Sequence, residues 1–332
     1  MYTEEDIASA VDAGILSHET AQAFRAHVAD LRQGPAVDEE HFRLITGFND
    51  IFVVIASLLL LVSVGGIAGV LAEWIGAAAV AAVAWLLAEF FTRQRRMALP
   101  SIVLLLAFVG SVLGSALLLL GPQNGAQSFV IASALATAAA WLHWRRFQVP
   151  ITVAAGAAAV VAFAVALLLW AAPGARQWLS AIAFIAGVLV FALAMYWDTR
   201  DTARLTRKSD VAFWLHLLAA PLLVHPVFAA LGVFEGQMDL WRAAVVIVLY
   251  MVIGLISLCI DRRALMVSAL VYVMYAFSTL LEQYGVVSLS FALTALVIGS
   301  ALLLLSAFWH ASRAQVLRRI PKTMQRWLVP AR

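Results

Sequence analysis

The sequence predicts an all-α, polytopic membrane helix bundle of about ten transmembrane helices, with both termini in the cytoplasm. Three observations predict it. The 332 residues are 64% hydrophobic and only 12% charged, against about 45–50% apolar and roughly 25% charged in soluble domains. The apolar residues fall into ten runs long enough to cross a bilayer. Nearly every Lys and Arg falls in every second gap between those runs.

About 20 apolar residues at 1.5 Å each cross a ~30 Å hydrocarbon core. That rule places spans near 50–71, 75–91, 99–120, 127–143, 149–171, 178–197, 211–233, 241–260, 264–281 and 288–309. The opening MYTEEDIASA is acidic and lacks the basic region of a signal peptide, so the first run is expected to stay as a spanning helix. Of the 22 Lys and Arg, 20 lie in the N-terminal segment, the even-numbered gaps and the tail. The other side holds only Arg176 and Arg242. The positive-inside rule puts the basic side in the cytoplasm. Tryptophans gather at span ends, as amphipathic rings do at membrane interfaces: Trp74, Trp141, Trp144, Trp170, Trp178, Trp197, Trp241, Trp309 and Trp327.

Three regions follow: 1–48, a cytoplasmic helical hairpin with a lead-in helix; 49–310, the ten-span membrane domain; and 311–332, a basic amphipathic interfacial tail. Residues 1–48 carry a net −6 and the remainder +9. In the hairpin, Thr3 and Ser17 are placed to cap two helices and Gly14 to end the first. Ile7, Val11, Ile15, Phe24, Val28 and Leu31 form one apolar face, which suits either a cap on the membrane domain or a protein partner. Phe42, Ile45, Phe48 and Phe52 mark the lead-in. The tail sets Val316, Leu317, Ile320, Met324, Trp327 and Leu328 among six bases, a pattern for lying in the interface plane. Its charge points to membrane lipids as partners rather than to nucleic acid.

Packing signals are of two kinds. Gly65 and Gly69, and Gly110 and Gly114, recur at four-residue spacing and predict close helix approach. Ala-rich span 5, from Ala154 to Ala166, predicts a crowded position. A weak repeat marks the basic turns, with Arg pairs at 95–96, 145–146 and 262–263. Duplication of a helical hairpin or convergence on the needs of a tight turn would each produce it.

Chemistry is sparse. The middles of all ten spans lack Asp, Glu, Lys and Arg; Asp50, Glu89, Asp210, Asp261 and Glu282 lie at ends, with Glu89 one turn from Arg93. Walker loops, His-Glu-x-x-His, nucleophile elbows and Cys-x-x-Cys are absent, and Cys259 is the single cysteine. Neither enzymatic activity nor a metal or other cofactor is expected. Span 7 is the exception. Pro221 and Pro226 leave the carbonyls of Leu217 and Leu222 without helical donors, which predicts a kinked or unwound helix. His216 and His225 flank that region, about 13.5 Å apart along a regular helix. Each could bond a neighbouring helix; together they could line a substrate site with Trp214, Tyr250, Tyr272 and Tyr275. Two functions follow: small-molecule or lipid transport through a cavity near span 7, or a non-transporting scaffold or sensor with a partner-binding N-terminal segment.

The chain resembles a bacterial group of multi-pass membrane proteins of unknown function. The likeness rests on the short N-terminal helical segment with Gly14-Ile15-Leu16-Ser17, the closely spaced spans and the basic tail ending Leu328-Val329-Pro330-Ala331-Arg332. It implies a location in the bacterial cytoplasmic membrane and brings no activity or site residues. In topology alone it also resembles the drug/metabolite transporter superfamily, which has ten spans and both termini inside.

Overall fold

The computed structural model describes residues 4–24, 48–121, 123, 125–201, 206–232, 240–283 and 290–319. Every regular element among them is helical. Two compact units are present, residues 1–42 and 43–332.

In the first unit α1 spans Glu4–Asp12. It ends at Gly14, whose positive φ of 72° suits a residue without Cβ. The amides of Ile15 and Leu16 close back on the Ala10 carbonyl. The next helix, α2, is described over 18–24. Ser17 caps it as expected: its Oγ accepts from the Thr20 amide at 3.1 Å. Ile15 and Phe24 are exposed. Thr3, Val28, Leu31, Phe42 and Ile45 lie outside the described residues, as do Ile320, Met324, Trp327 and Leu328 of the tail.

The second unit is a succession of helices. They are α3 (Phe48–Gly69), α4 (Glu73–Ala88), α5 (Ala98–Leu120), α6 (Ala126–Phe147), α7 (Ile151–Ala171), α8 (Leu179–Asp198), α9 (Arg207–Ala230), α10 (Leu240–Ile260), α11 (Ala264–Gln283), α12 (Ser290–Ala307) and α13 (Trp309–Arg319). A helix therefore occupies each of the ten predicted positions, and α13 follows them. Among the described residues eight, α3 to α10, are long and apolar enough to cross a membrane, making this a multi-pass membrane protein. The described apolar stretches of α11 and α12 are shorter, Leu265–Thr279 and Leu296–Leu305. Exposed side chains on α3 include Phe52, Ile55, Leu58, Leu59, Val62 and Ile67. In water so continuous an apolar surface would be costly; against lipid it is not.

Local sequence explains how the helices meet. At the α3–α4 crossing, a Cβ on Gly76 would fall 2.6 Å from the Gly65 carbonyl oxygen and 2.9 Å from the Gly69 Cα. The Gly65–Gly69 pair is thus used for close approach. Gly110 and Gly114 are not: nothing lies within 4 Å of where their Cβ atoms would stand. Glycine spacing alone does not say whether a neighbour is there.

The α9 helix runs unbroken through Pro221 and Pro226, where the sequence predicts a kink or an unwound turn. Gly187 of α8 sits against the backbone that Pro226 leaves without its donor. A Cβ there would lie 2.9 Å from the Leu222 carbonyl carbon. Close packing of α8 surrounds the backbone weakened by proline.

The basic turns differ in register. Positive φ occurs at Arg96, Gln148 and Asp261. Relative to the Arg pairs at 95–96, 145–146 and 262–263, these fall on the second Arg, two residues after it, and one residue before the first. Three turns built at different offsets favour convergence over duplication.

Candidate functional site

At the basic ends of the helices, three acids stand where a helix dipole disfavours them. Glu89 follows α4, Asp198 ends α8 and Asp261 follows α10. Negative charge near a helix C-terminus is unfavourable unless a cation compensates it. Each of the three meets an Arg from a different element. Glu89 begins a π-helical turn over Glu89–Gln94. Arg146 of α6 grips its carboxylate with two donors, at 2.6 and 3.0 Å. The expected partner Arg93 is farther, at 3.4 Å.

Asp198 is the centre of a buried cluster. Arg262, in the α10–α11 turn and only 1% exposed, donates from Nη2 to Asp198 Oδ1 at 2.6 Å and from Nε to Oδ2 at 3.3 Å. The same Nη2 also lies within bonding distance of the Ser209 carbonyl and hydroxyl, at 3.2 and 3.3 Å. His216 Nε2 lies 2.8 Å from Asp198 Oδ2. An ionised carboxylate only accepts, so this nitrogen carries the hydrogen. The fully buried His216 ring packs on Phe191, with centroids 5.3 Å apart. The Ser257 hydroxyl bonds the Arg262 carbonyl. One residue earlier, Asp261 accepts from Trp309 Nε1 at 2.9 Å and pairs with Arg313 Nε at 3.3 Å. Arg313 Nε also reaches the Leu258 carbonyl at 3.2 Å. Adjacent residues of one turn thus tie together α8, α9, α10, α11 and α13.

The two histidines of α9 are not brought to one site. His216 faces α8 and the α10–α11 turn, whereas exposed His225 lies 2.9 Å through Nδ1 from Tyr272 Oη of α11. Tyr272 stacks on Phe228 with centroids 5.0 Å apart. Trp214 is half-buried beside Phe213, and Tyr275 is exposed. Tyr250 lines an apolar crevice of about 420 Å³ between α10, α11 and α12, its hydroxyl buried and without a partner among the described residues. Of the six residues expected around a substrate, His225 and Tyr272 are brought together as a pair, whereas His216 is engaged by Asp198. Trp309, expected at an interface, is instead 1% exposed inside the Asp261 cluster.

A larger cavity lies beside α9 but reaches neither histidine. Its volume is about 930 Å³, near the upper end of the usual 300–1,000 Å³ range for ligand pockets. Leu218 and Leu222 of α9 form one wall; the start of α6 contributes Phe129. The long wall is α7, through Ala158, Ala162 and Ala166 in one ridge and Val161, Val165 and Leu169 in the next. The alanine-rich stretch predicted as crowded is therefore double-sided. Ala154 and Ala159 are buried, and Gly156 lies near the Ala140 methyl of α6, while the column at four-residue spacing leaves open space. At the end where α7 passes into a 3₁₀ turn, Pro173–Trp178, the cavity is lined by Trp170, Pro173 and Arg176. Arg176 is the one charged side chain among the described lining residues, and it has no acidic partner among the described residues.

Sequence reasoning expected a cavity near span 7 but not its walls of α6, α7 and Arg176, and it passed over Asp198 and Arg262 as a buried group. An acid closing a helix was a readable signal for Asp198. The alanine column was visible too, but its neighbours were not. It also passed over His143 of α6, fully buried among Trp85, Phe108 and Phe147, with Nδ1 3.2 Å from Thr152 Oγ1. No three His, Cys, Asp or Glu side chains converge as a metal site among the described residues. No protein-family model matches the chain, and neither a curated protein nor a solved structure matches it.

Proposed function

We propose that this is a protein of the bacterial cytoplasmic membrane, its basic side and both termini inside, that takes a small hydrophobic molecule or lipid into the chamber beside α9 and moves it across or within the bilayer. The observation that carries the proposal is the 930 Å³ cavity itself, walled by α6, α7 and α9. Its lining is apolar apart from Arg176, so a partner from the bilayer replaces lipid with protein at little cost, while a strongly hydrated solute would lose its water.

Its placement supports movement rather than storage. Helix direction puts the Trp170–Arg176 end on the base-poor side. On α9 the Asp198–His216–Arg262 cluster lies nearer the opposite end, holding α8, α9 and the α10–α11 turn together there. In this reading a molecule enters from the base-poor side, while the cluster keeps α8, α9 and the α10–α11 turn together at the other. Orientation follows the 20 of 22 bases on one side.

Replacing Ala162 by Trp tests this by filling the chamber from its smallest-residue wall. Small hydrophobic molecules co-purifying with the wild-type protein in nanodiscs should be lost from the variant, with folding unchanged. Identical co-purifying molecules in both proteins would refute the proposal. A scaffold or sensor role has its own supporting observation, the exposed Ile15 and Phe24 of the N-terminal unit. Unchanged membrane function after filling the chamber, with loss on replacing Ile15 and Phe24 by Ser, would favour it.

A further inference from the structure

We infer that the chamber selects a single-chain amphiphile with a compact monoanionic head group, a long-chain carboxylate, and that Arg176 holds the head group. This rests on the reading of the cavity as a ligand chamber and names the class of molecule it takes.

Four observations lead there. First, the cavity is polarised along its length. Its α7 wall, from Ala158 to Trp170, is hydrocarbon for about 18 Å at 1.5 Å per residue. The charged group stands beyond one end of that wall. A molecule with an extended alkyl chain and a single polar terminus has the same layout. Second, Arg176 is placed against the trend of the chain. It is one of two bases on a side from which the other 20 are excluded, so it does not serve the topology signal. Third, it has no carboxylate partner among the described residues, although the acids at the ends of α4, α8 and α10 are each matched by an Arg. Its guanidinium is a planar fork of donors suited to two-point binding of a carboxylate. Fourth, no second base lines the chamber among the described residues. One positive charge matches a monoanion better than a doubly charged phosphate, and no carboxylate among the described lining residues stands there to pair with the cation of a zwitterionic head group.

The local fold makes the placement possible. Pro173 opens the short 3₁₀ turn, and that turn brings Arg176 to the lining of the cavity. Trp170 and Trp178 flank the turn and are exposed, as interfacial rings are. The head group would then lie at the depth where water and headgroups reach it, with the chain descending between the alanine column of α7 and Leu218 and Leu222 of α9.

The test uses full-length protein in nanodiscs of phosphatidylcholine alone, at mildly alkaline pH. The probes are a photoactivatable long-chain carboxylate and the alcohol of the same chain. Wild-type protein should be labelled on peptides of α7 and α9, the acid saturating at about tenfold lower concentration than the alcohol, as a charge-assisted bidentate contact at a partly wet site implies. Arg176→Gln should bring the acid to the level of the alcohol, and Arg176→Lys should restore part of the preference. Ala162→Trp should abolish labelling by both. Equal saturation of acid and alcohol in the wild type, or a preference that survives Arg176→Gln, would overturn the head-group inference and leave the chamber standing. Labelling of neither probe on α7 and α9, or labelling indifferent to Ala162→Trp, would overturn the chamber and the inference together.

Discussion

Replacing Arg262 by Met should be among the most damaging single changes in the membrane domain. Arg262 and Asp198 are 1% and 3% exposed, and their closest atoms are 2.6 Å apart. With charge centres about 4 Å apart and an effective dielectric constant near 20, their attraction is about 4 kcal/mol. Removing the guanidinium leaves the Asp198 carboxylate with only the His216 donor and takes a partner from Ser209. Stranding one charge of a buried pair costs about 3–5 kcal/mol, and Arg262→Met should fall in that range. Asp198→Leu should cost as much, because it strands Arg262 instead. The double variant should recover most of the loss, since two apolar side chains of similar volume need no partner. The double-mutant cycle should thus give a coupling at least as large as either single loss, about 3–5 kcal/mol or more. Reversible unfolding in mixed micelles, followed by tryptophan fluorescence against denaturing detergent, measures all three. A coupling below about 0.5 kcal/mol, or strictly additive losses, would show that the cluster is not an ion pair that holds the basic ends together.

Other expectations follow from the same contacts. Gly76→Ala should destabilise by about 1–3 kcal/mol through overpacking against the backbone of Gly65 and Gly69, whereas Gly110→Ala, with open space around it, should be neutral or mildly stabilising; equal effects on unfolding would refute the α3–α4 crossing. Gly187→Val should loosen α8 from α9 by a similar or larger amount, read as faster proteolysis or hydrogen exchange in α9 around Leu222, and a protected α9 in the variant would count against this packing. His216→Phe should keep the edge-on ring contact with Phe191 but remove the Asp198 donor, costing about 1–3 kcal/mol; an unfolding curve matching wild type would show that the hydrogen bond carries no stability. In a Cys259→Ser background, a cysteine at Gln177 should react with an impermeant maleimide from outside intact cells, and one at Gln94 only after permeabilisation. The reverse pattern would invert the topology.

The unequal legibility of the chain has particular causes. Helix positions were readable because length and hydropathy are properties of a continuous segment, and each predicted run from 50–71 to 288–309 coincides with a helix. Ser17 and Gly14 were readable because caps act within a few residues. That each α9 histidine bonds a neighbouring helix was one of the two readings offered, but which partner each meets was not readable. His216 and His225 lie on one helix yet answer to different neighbours, Asp198 and Tyr272. The prolines were readable only in part. Pro221 and Pro226 remove hydrogen bonds by local rule, but the closely packed α8 surrounds the weakened backbone and the helix continues.

By itself the sequence determined that this is a multi-pass helical membrane protein, where its helices lie, and which of their ends are basic. These are one-dimensional quantities: transfer of contiguous apolar residues into lipid, and charge on short connections. Only the tertiary structure decided which acid meets which base across 57 residues for Glu89 and Arg146 or 64 for Asp198 and Arg262. It alone showed that Arg262 is buried rather than exposed. It also decided that the alanines of α7 both pack and leave space. A small side chain permits close approach and permits a void equally well. What stands opposite chooses between them, and that is set by helix packing, where lipid-like surfaces give sequence patterns little discrimination.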